Sequence, residues 1–182
     1  MGNSRRWALR CAAICLLIFI PWAVADRQKI AIRANRLEHS LTGKITDCYG
    51  TEKEPVQIKY GTWELVGQYA RWEEDAGVIL VKGKVEVVQQ REERVFLSCQ
   101  ELRFWPQKEE LEAKGSVVME RGELQATSGV ARGDKRQVVL TELPSLTRGG
   151  DFIQGKKITV LFEPGEKIVV EEAQLEVEAR EE

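Results

Sequence analysis

Apolar residues in this chain return in an eight-residue pattern that occurs five times after residue 26. It reads IRANRLEH at 32–39, LVGQYARW at 65–72, LSCQELRF at 97–104, LQATSGVA at 124–131 and IQGKKITV at 153–160. The first place is always Ile or Leu (Ile32, Leu65, Leu97, Leu124, Ile153) and the third is always small (Ala34, Gly67, Cys99, Ala126, Gly155). Successive copies begin 33, 32, 27 and 29 residues apart. A recurrence at that spacing marks stacked supersecondary units, each too small to bury its apolar face alone. Function is therefore expected in the shared interior of a stack.

A second segment follows each of the last four copies: ILVKGKVEV at 79–87, LEAKGSVVM at 111–119, VLTELPSLT at 139–147 and VVEEAQLEV at 169–177. In the first two, alternate positions are apolar or small: Ile79, Val81, Gly83, Val85 and Val87, then Leu111, Ala113, Gly115, Val117 and Met119. Period-two alternation places one set of side chains on one face of a strand. Charged residues on the other face make that face wet, which is the habit of antiparallel sheets. Turn signals separate the runs at Glu74–Gly77, Pro106–Lys108, Arg121-Gly122, Gly133-Asp134, Gly149–Asp151 and Pro164-Gly165. The expectation is an all-β chain with unpaired end strands at Lys29–His39 and Lys167–Ala179.

Composition adds one exception. Of the 182 residues 31% are charged, which suits one soluble domain with a real core. At the N-terminus, however, Arg5, Arg6 and Arg10 precede an apolar run from Cys11 to Ala25 that ends in Ala23-Val24-Ala25. A positive region, an apolar region and small residues at the cleavage place make a secretory signal. The alternative is an uncleaved single-pass anchor, although the run falls short of the ~20 residues a span needs. The division expected is 1–25 as signal or anchor and 26–182 as the β-domain. The surroundings of Arg5-Arg6 also resemble a twin-arginine signal, with Ala8 in the usual place of Phe. On any of these readings the rest of the chain lies outside the cytoplasmic membrane.

Removing 1–25 takes away three Arg and no acid, leaving 24 basic against 29 acidic residues and a net charge of −5. The basic residues are dispersed, so nucleic acid is not expected as a partner. Cys48 and Cys99 remain; either each is a small buried residue or the two form a disulfide, which an oxidising compartment allows. Two Cys and the lone His39 do not make a closed zinc site. His39 reads as an edge-of-core histidine, since no nucleophile motif accompanies it. No catalytic residues, metal or cofactor are expected, and the chain does not read as an enzyme.

The repeated hydrophobic-x-Ala/Gly-x-x-hydrophobic-x-aromatic unit, followed by a V-x-V strand, resembles the OstA-like family of LptA and LptC periplasmic lipopolysaccharide transport proteins. The stretch GTWELVGQYARWEEDAGVILVKGKVEV from Gly61, then CQELRFWPQKEELEAKG to Gly115, is similar to the LptC pattern. Residues 143–178 are closer to the closing repeats of LptA. Residues 43–61 depart from both.

What the resemblance implies is an open antiparallel β-jellyroll, a taco-shaped trough whose interior cradles the acyl chains of lipopolysaccharide or a similar amphiphile. The lining would come from Ile32, Ala34, Leu37, Leu65, Gly67 and Trp72; from Ile79, Val81, Val85 and Val87; and from Leu97, Cys99, Leu102 and Phe104. Leu111, Val117, Met119, Leu124, Ala126, Ile153, Ile158 and Leu175 complete it. Trp63, Phe96, Trp105 and Phe162 are further aromatics expected inside. The small third-place residues would leave room for lipid; the competing expectation is that the same side chains close into an ordinary core. Partners implied are the lipid, Lpt-type β-jellyroll modules joined through the edge strands, and a second copy of the chain. The location implied is the periplasm, free or tethered to the inner membrane.

Overall fold

A computed structural model describes residues 28–162 and 165–176; the segment read above as signal or anchor lies outside them. Sixteen strands form one antiparallel sheet among the described residues. In chain order they are β1 (Ala31–Arg33), β2 (Arg36–Ser40), β3 (Ile45–Tyr49), β4 (Val56–Tyr60), β5 (Trp63–Gly67), β6 (Tyr69–Glu73), β7 (Val78–Gln89) and β8 (Val95–Trp105). Then follow β9 (Glu110–Arg121), β10 (Leu124–Gly133), β11 (Gln137–Thr141), β12 (Ser145–Arg148), β13 (Asp151–Gln154), β14 (Lys157–Leu161), β15 (Lys167–Glu171) and β16 (Gln174–Glu176). One 3₁₀ turn, Pro106–Lys108, is the only helical element among them. No helix there is long and apolar enough to cross a membrane.

The pairing divides this sheet into two layers. One layer runs β2-β3-β6, then one half of each of β7 to β10, then β11-β14-β15. The other runs β1-β4-β5, then the remaining halves, then β12-β13-β16. The long strands therefore cross from layer to layer at a shared fold line. On β7 one extra residue relative to β8 sits between Lys82 and Val85, and β9 repeats the device beside Gly115. Such bulges bend a strand sharply. Gly83 and Lys84 have φ of 79° and 47°, and Gly115 and Ser116 have 80° and 48°, so the K-G-K and K-G-S triplets are one bend used twice. Glycine comes first in each because an L side chain is strained there.

The eight-residue pattern describes this crossing. In the first, second and fifth copies the chain leaves its strand at Asn35, Gln68 and Gly155 and re-enters in the opposite layer. In the third, β8 bends through Gln100. The fourth copy is out of register: Ala126, not Leu124, pairs with Met119 and Leu146, and Ser128 stands in the small place. A slip of two residues keeps the same face inward, so the sequence pattern tolerated it. The segments at 139–147 and 169–177, each expected as one strand, are both broken, at Glu142-Leu143 and at Glu172, where φ is 54–61°.

Neither layer closes. Among the described residues β1 and β2 have no partner on one side at the N-terminal end, nor do β15 and β16 at the C-terminal end, where end strands were expected. Residues 43–61, which departed from the repeat, supply β3 and β4, the partners that β2 and β1 need.

The two glycines at the third place, Gly67 and Gly155, have a packing cause. A Cβ on Gly67 would come 2.5 Å from Cγ1 of Val81, closer than side chains approach. Gly67 accordingly makes room for a neighbour in the next strand. Replacing Gly67 by Ala is expected to destabilise the fold by about 1–3 kcal/mol. Combining it with Val81→Ala should be less damaging than the sum of the two single changes, read by denaturant unfolding; simple additivity would reject the close contact as the cause.

Candidate functional site

Directly opposed residues of an antiparallel pair share a face, so the registers give the interior as rows. In the first layer one row runs Leu37, Cys48, Ala70, Val81, Leu102, Ala113, Ala131, Leu140, Ile158, Val170. In the second it runs Ile32, Ile58, Leu65, Val87, Leu97, Met119, Ala126, Leu146, Ile153, Leu175. Trp72, Ile79, Phe104 and Leu111 make a further row of the first layer. Gly67, Val85, Cys99 and Val117 lie beside the fold line, with Ala34 next to the crossing at Asn35. Leu124, 2% exposed, lies toward the opposite seam.

The two layers meet in one core. Trp63 of the second layer packs on Phe104 of the first with ring centroids 5.3 Å apart. Val81, Val85, Leu102, Phe104, Val117 and Met119 are fully buried. The hollow expected between the layers is thus filled by its own side chains. A small, mostly apolar space of about 20 Å³ lies at one side of this core, lined by Trp63, Val87, Gln89, Val95, Leu97, Leu111, Asp134, Val138 and Phe162. That is the room of roughly one water and not of an acyl chain. Leu37 and Leu175, on end strands, are 55% and 60% exposed, so the interior rows emerge at both ends.

Two of the aromatics expected inside are outside. Phe96 and Trp105 each follow or precede an inward residue, Leu97 and Phe104, and period two turns them to the outer face. Conversely, Val56, Ile58, Leu140 and Leu146 are buried core residues that the eight-residue pattern did not mark. Extending the alternation through 56–58 and 138–160 would have found them.

The two cysteines are free and buried. Three strand steps separate β3 from β8, roughly 14 Å at sheet spacing, against a Cα limit near ~7 Å for a disulfide. Burial pushes the Cys99 thiol up to about 12 and raises that of Cys48 as well. The outer face of β3 and β6 carries a different cluster. Arg71 donates to both carboxylate oxygens of Asp47 at 2.8 and 3.3 Å, and Tyr69 donates to the same group. The Arg71 hydrogen bond holds the Asp47 carboxyl below its usual range, while burial raises Tyr69 to about 12. These groups brace two strands.

Opposite the fold line the hairpin tips of the two layers face each other across a seam. A cleft of about 500 Å³ opens there, lined by Thr62, Gln89, Gln90, Arg91, Glu92, Glu93, Glu109, Arg121, Lys135 and Phe162. Gln89 and Phe162 also line the small apolar space, which places that space under the cleft. Arg121 of the second layer lies over the Phe162 ring of the first, 4.8 Å from its centroid. Arg121 and Arg148 both ion-pair with Glu166, at 3.5 and 3.0 Å, and Arg121 also meets Glu93 at 3.2 Å. Beneath them Trp63, 3% exposed, has an indole Nε1 with no hydrogen-bond partner. A buried donor left so carries a penalty of about 1–3 kcal/mol. The sequence pattern marked none of these polar groups, because long-range pairing assembles them.

The fold and this interior define an open, two-layer antiparallel β-jellyroll, hinged on one side and seamed on the other. No protein-family model matches the chain, and no curated protein matches it. Among solved structures it is similar to LptH of Pseudomonas aeruginosa, the LptA-homologous periplasmic component of that organism's lipopolysaccharide transport device. The likeness covers 84% of this chain and 96% of LptH, at 12% identity and a TM-score of 0.44. A likeness at that level carries no argument about function.

Two measurements check the site. Thiol labelling at pH 8, read by peptide mass at Cys48 and Cys99, should find neither modified in the folded protein and both modified after unfolding. A bridge would leave them unmodified in each case. Replacing Trp63 by 3-benzothienylalanine keeps the bicyclic ring and puts sulfur in place of a donor that has no partner, so stability should fall by less than about 1 kcal/mol. A larger loss would mean that the indole N–H is engaged.

Proposed function

We propose that the chain is a non-catalytic carrier that shields the acyl chains of an amphiphile, lipopolysaccharide or a similar lipid, between its two layers. In this reading it passes the lipid across the periplasm toward the outer membrane as one module of an Lpt-type bridge. The observation that carries the proposal is the mechanical layout of the interior. Every strand ladder runs within a layer, and the chain crosses between layers only along the fold line. Parting the layers at the seam therefore breaks side-chain contacts and leaves the ladders intact.

The filled interior changes how such a carrier works. Lipid has no standing trough to drop into; it replaces the facing layer as the partner of each apolar row. The exchange is balanced because both partners are hydrocarbon. Each methylene withdrawn from water contributes about 0.8 kcal/mol, so a twelve-carbon chain contributes roughly 10 kcal/mol. That sum offsets the interlayer packing lost on opening. The repeat's resemblance to the OstA-like family points the same way.

Open ends supply the second half of the reading. β1 and β2 offer unpaired edges at one end, β15 and β16 at the other, and Leu37 and Leu175 extend the interior rows to the surface. Unpaired edges accept strands from another chain. A second copy or a related jellyroll seated there would continue both layers head to tail. An inner-membrane-anchored, LptC-like version differs only in whether residues 1–25 are retained. Fractionation with N-terminal sequencing separates the two.

One observation favours a different function, an envelope scaffold with a closed core: the central rows are fully buried against one another. A photo-reactive residue at Leu102 or Val117 distinguishes the readings. A carrier should yield a covalent lipid adduct by mass spectrometry after purification from envelope extracts, whereas a scaffold yields only intramolecular products. Deleting 167–182 should abolish association between modules while most β-structure persists; unchanged association would count against docking at that end.

A further inference from the structure

We infer that Arg121 and Arg148 form a receptor for the anionic headgroup of an acyl amphiphile, and that Glu166 occupies it as an internal stand-in. The inference rests on the carrier reading and names the chemistry of its ligand. Arg121 pairs with Leu124, and Leu124 with Arg148, so both arginines project from the inward face of the second layer at the rim of the apolar interior. Glu166 comes from the other layer, beyond Phe162, and places one carboxylate oxygen on each guanidinium. A carboxylate shared by two guanidiniums has the geometry of phosphate recognition, since arginine forks take either group.

Position gives the arrangement its meaning. Directly under the rim lies the apolar space lined by Trp63, Val95 and Phe162, where the indole N–H of Trp63 has no acceptor. An anionic headgroup on the fork with an acyl chain directed inward would bring its ester or amide carbonyl toward that donor. Polar recognition, a carbonyl-seeking donor and a hydrocarbon interior thus follow one another in the order found along an acylated, anionic lipid. Of the acidic groups of the cleft, Glu93 ion-pairs with Arg121 and Glu109 with Lys135. On opening Glu166 would leave both arginines, and Glu93, in the same layer as Arg121, would stay beside that one, so Arg148 is the residue whose substitution isolates the binding group.

The same exchange couples binding to opening. Glu166 ties the two layers across the seam; a headgroup taking its place unties them. A plain clasp and a headgroup receptor then predict opposite results. For a clasp, losing either partner loosens the seam, and Arg148→Gln and Glu166→Gln act alike. For a receptor, Glu166→Gln removes a competitor while Arg148→Gln removes the binding group.

The test uses the full chain with dodecyl phosphate, dodecyl maltoside and inorganic phosphate, the alkyl probes below their micelle concentrations, followed by calorimetry. Circular dichroism melting of each variant verifies folding. Dodecyl phosphate should bind wild type more tightly than dodecyl maltoside, with a preference that salt reduces. Arg148→Gln should weaken dodecyl phosphate by about tenfold, as for one charge-assisted hydrogen bond, and leave dodecyl maltoside unchanged. Glu166→Gln should tighten dodecyl phosphate several-fold. Both variants shifting phosphate affinity in the same direction would overturn the receptor and leave a clasp. Inorganic phosphate binding as tightly as dodecyl phosphate would overturn the lipid assignment in favour of a free anion. Failure of both alkyl probes to bind would overturn the carrier reading itself.

Discussion

Backbone hydrogen bonding within each layer is the constraint from which the rest of this structure follows. Among the described residues a ladder satisfies every interior strand laterally, so no backbone pairing joins one layer to the other and the chain crosses between them at the fold line. Each strand half is left with one apolar face, and the facing layer is the surface that covers it. The two layers therefore depend on each other for stability through side chains alone. Side-chain packing, and no backbone ladder, is therefore what holds the two layers face to face.

The bend that creates the two layers is as local as the ladders are extended. Gly83-Lys84 and Gly115-Ser116 place two successive positive-φ residues into β7 and β9, and the neighbouring strands shift register to accommodate them. Between these bends β8 turns without a glycine, because its partners on both sides carry the extra residue. Toward the ends the chain simply breaks, at Asn35, Gln68, Glu142-Leu143, Gly155 and Glu172. Bulged centre and broken flanks achieve one geometry by two means. They also set where the structure is stiff: the four long strands in the middle and short paired strands outside.

The two long sides of the molecule differ: continuous backbone crosses at the fold line, whereas side chains alone meet at the seam among the described residues. The seam is held by few groups, chiefly Phe162 under Arg121 and the carboxylate of Glu166 between Arg121 and Arg148. Partly exposed ion pairs of this kind contribute little to stability, about 0–1 kcal/mol each. They set charged groups along the seam, directly above the buried Trp63 and Phe162. Polar and apolar parts of the interior are thus arranged in sequence from rim to hinge.

The sequence by itself determined which residues face inward and that the ends stay unpaired. Period two is a property of the extended backbone, so Val81, Leu102, Val117 and Ile158 declare their face without reference to any partner. Even the misplaced fourth copy kept its face, since Leu124, Ala126 and Ser128 differ by two. Where parity was ignored, as at Phe96 and Trp105, the expectation failed. Only the tertiary structure decided that the rows close on one another, because alternation fixes the side a residue faces and not the distance to the opposite layer. The role of Gly67 as room for Val81, the separation of Cys48 from Cys99, and the meeting of Arg121 and Arg148 with Glu166 belong to that level too. Each depends on strand order and register between segments far apart in the chain, which no local pattern carries.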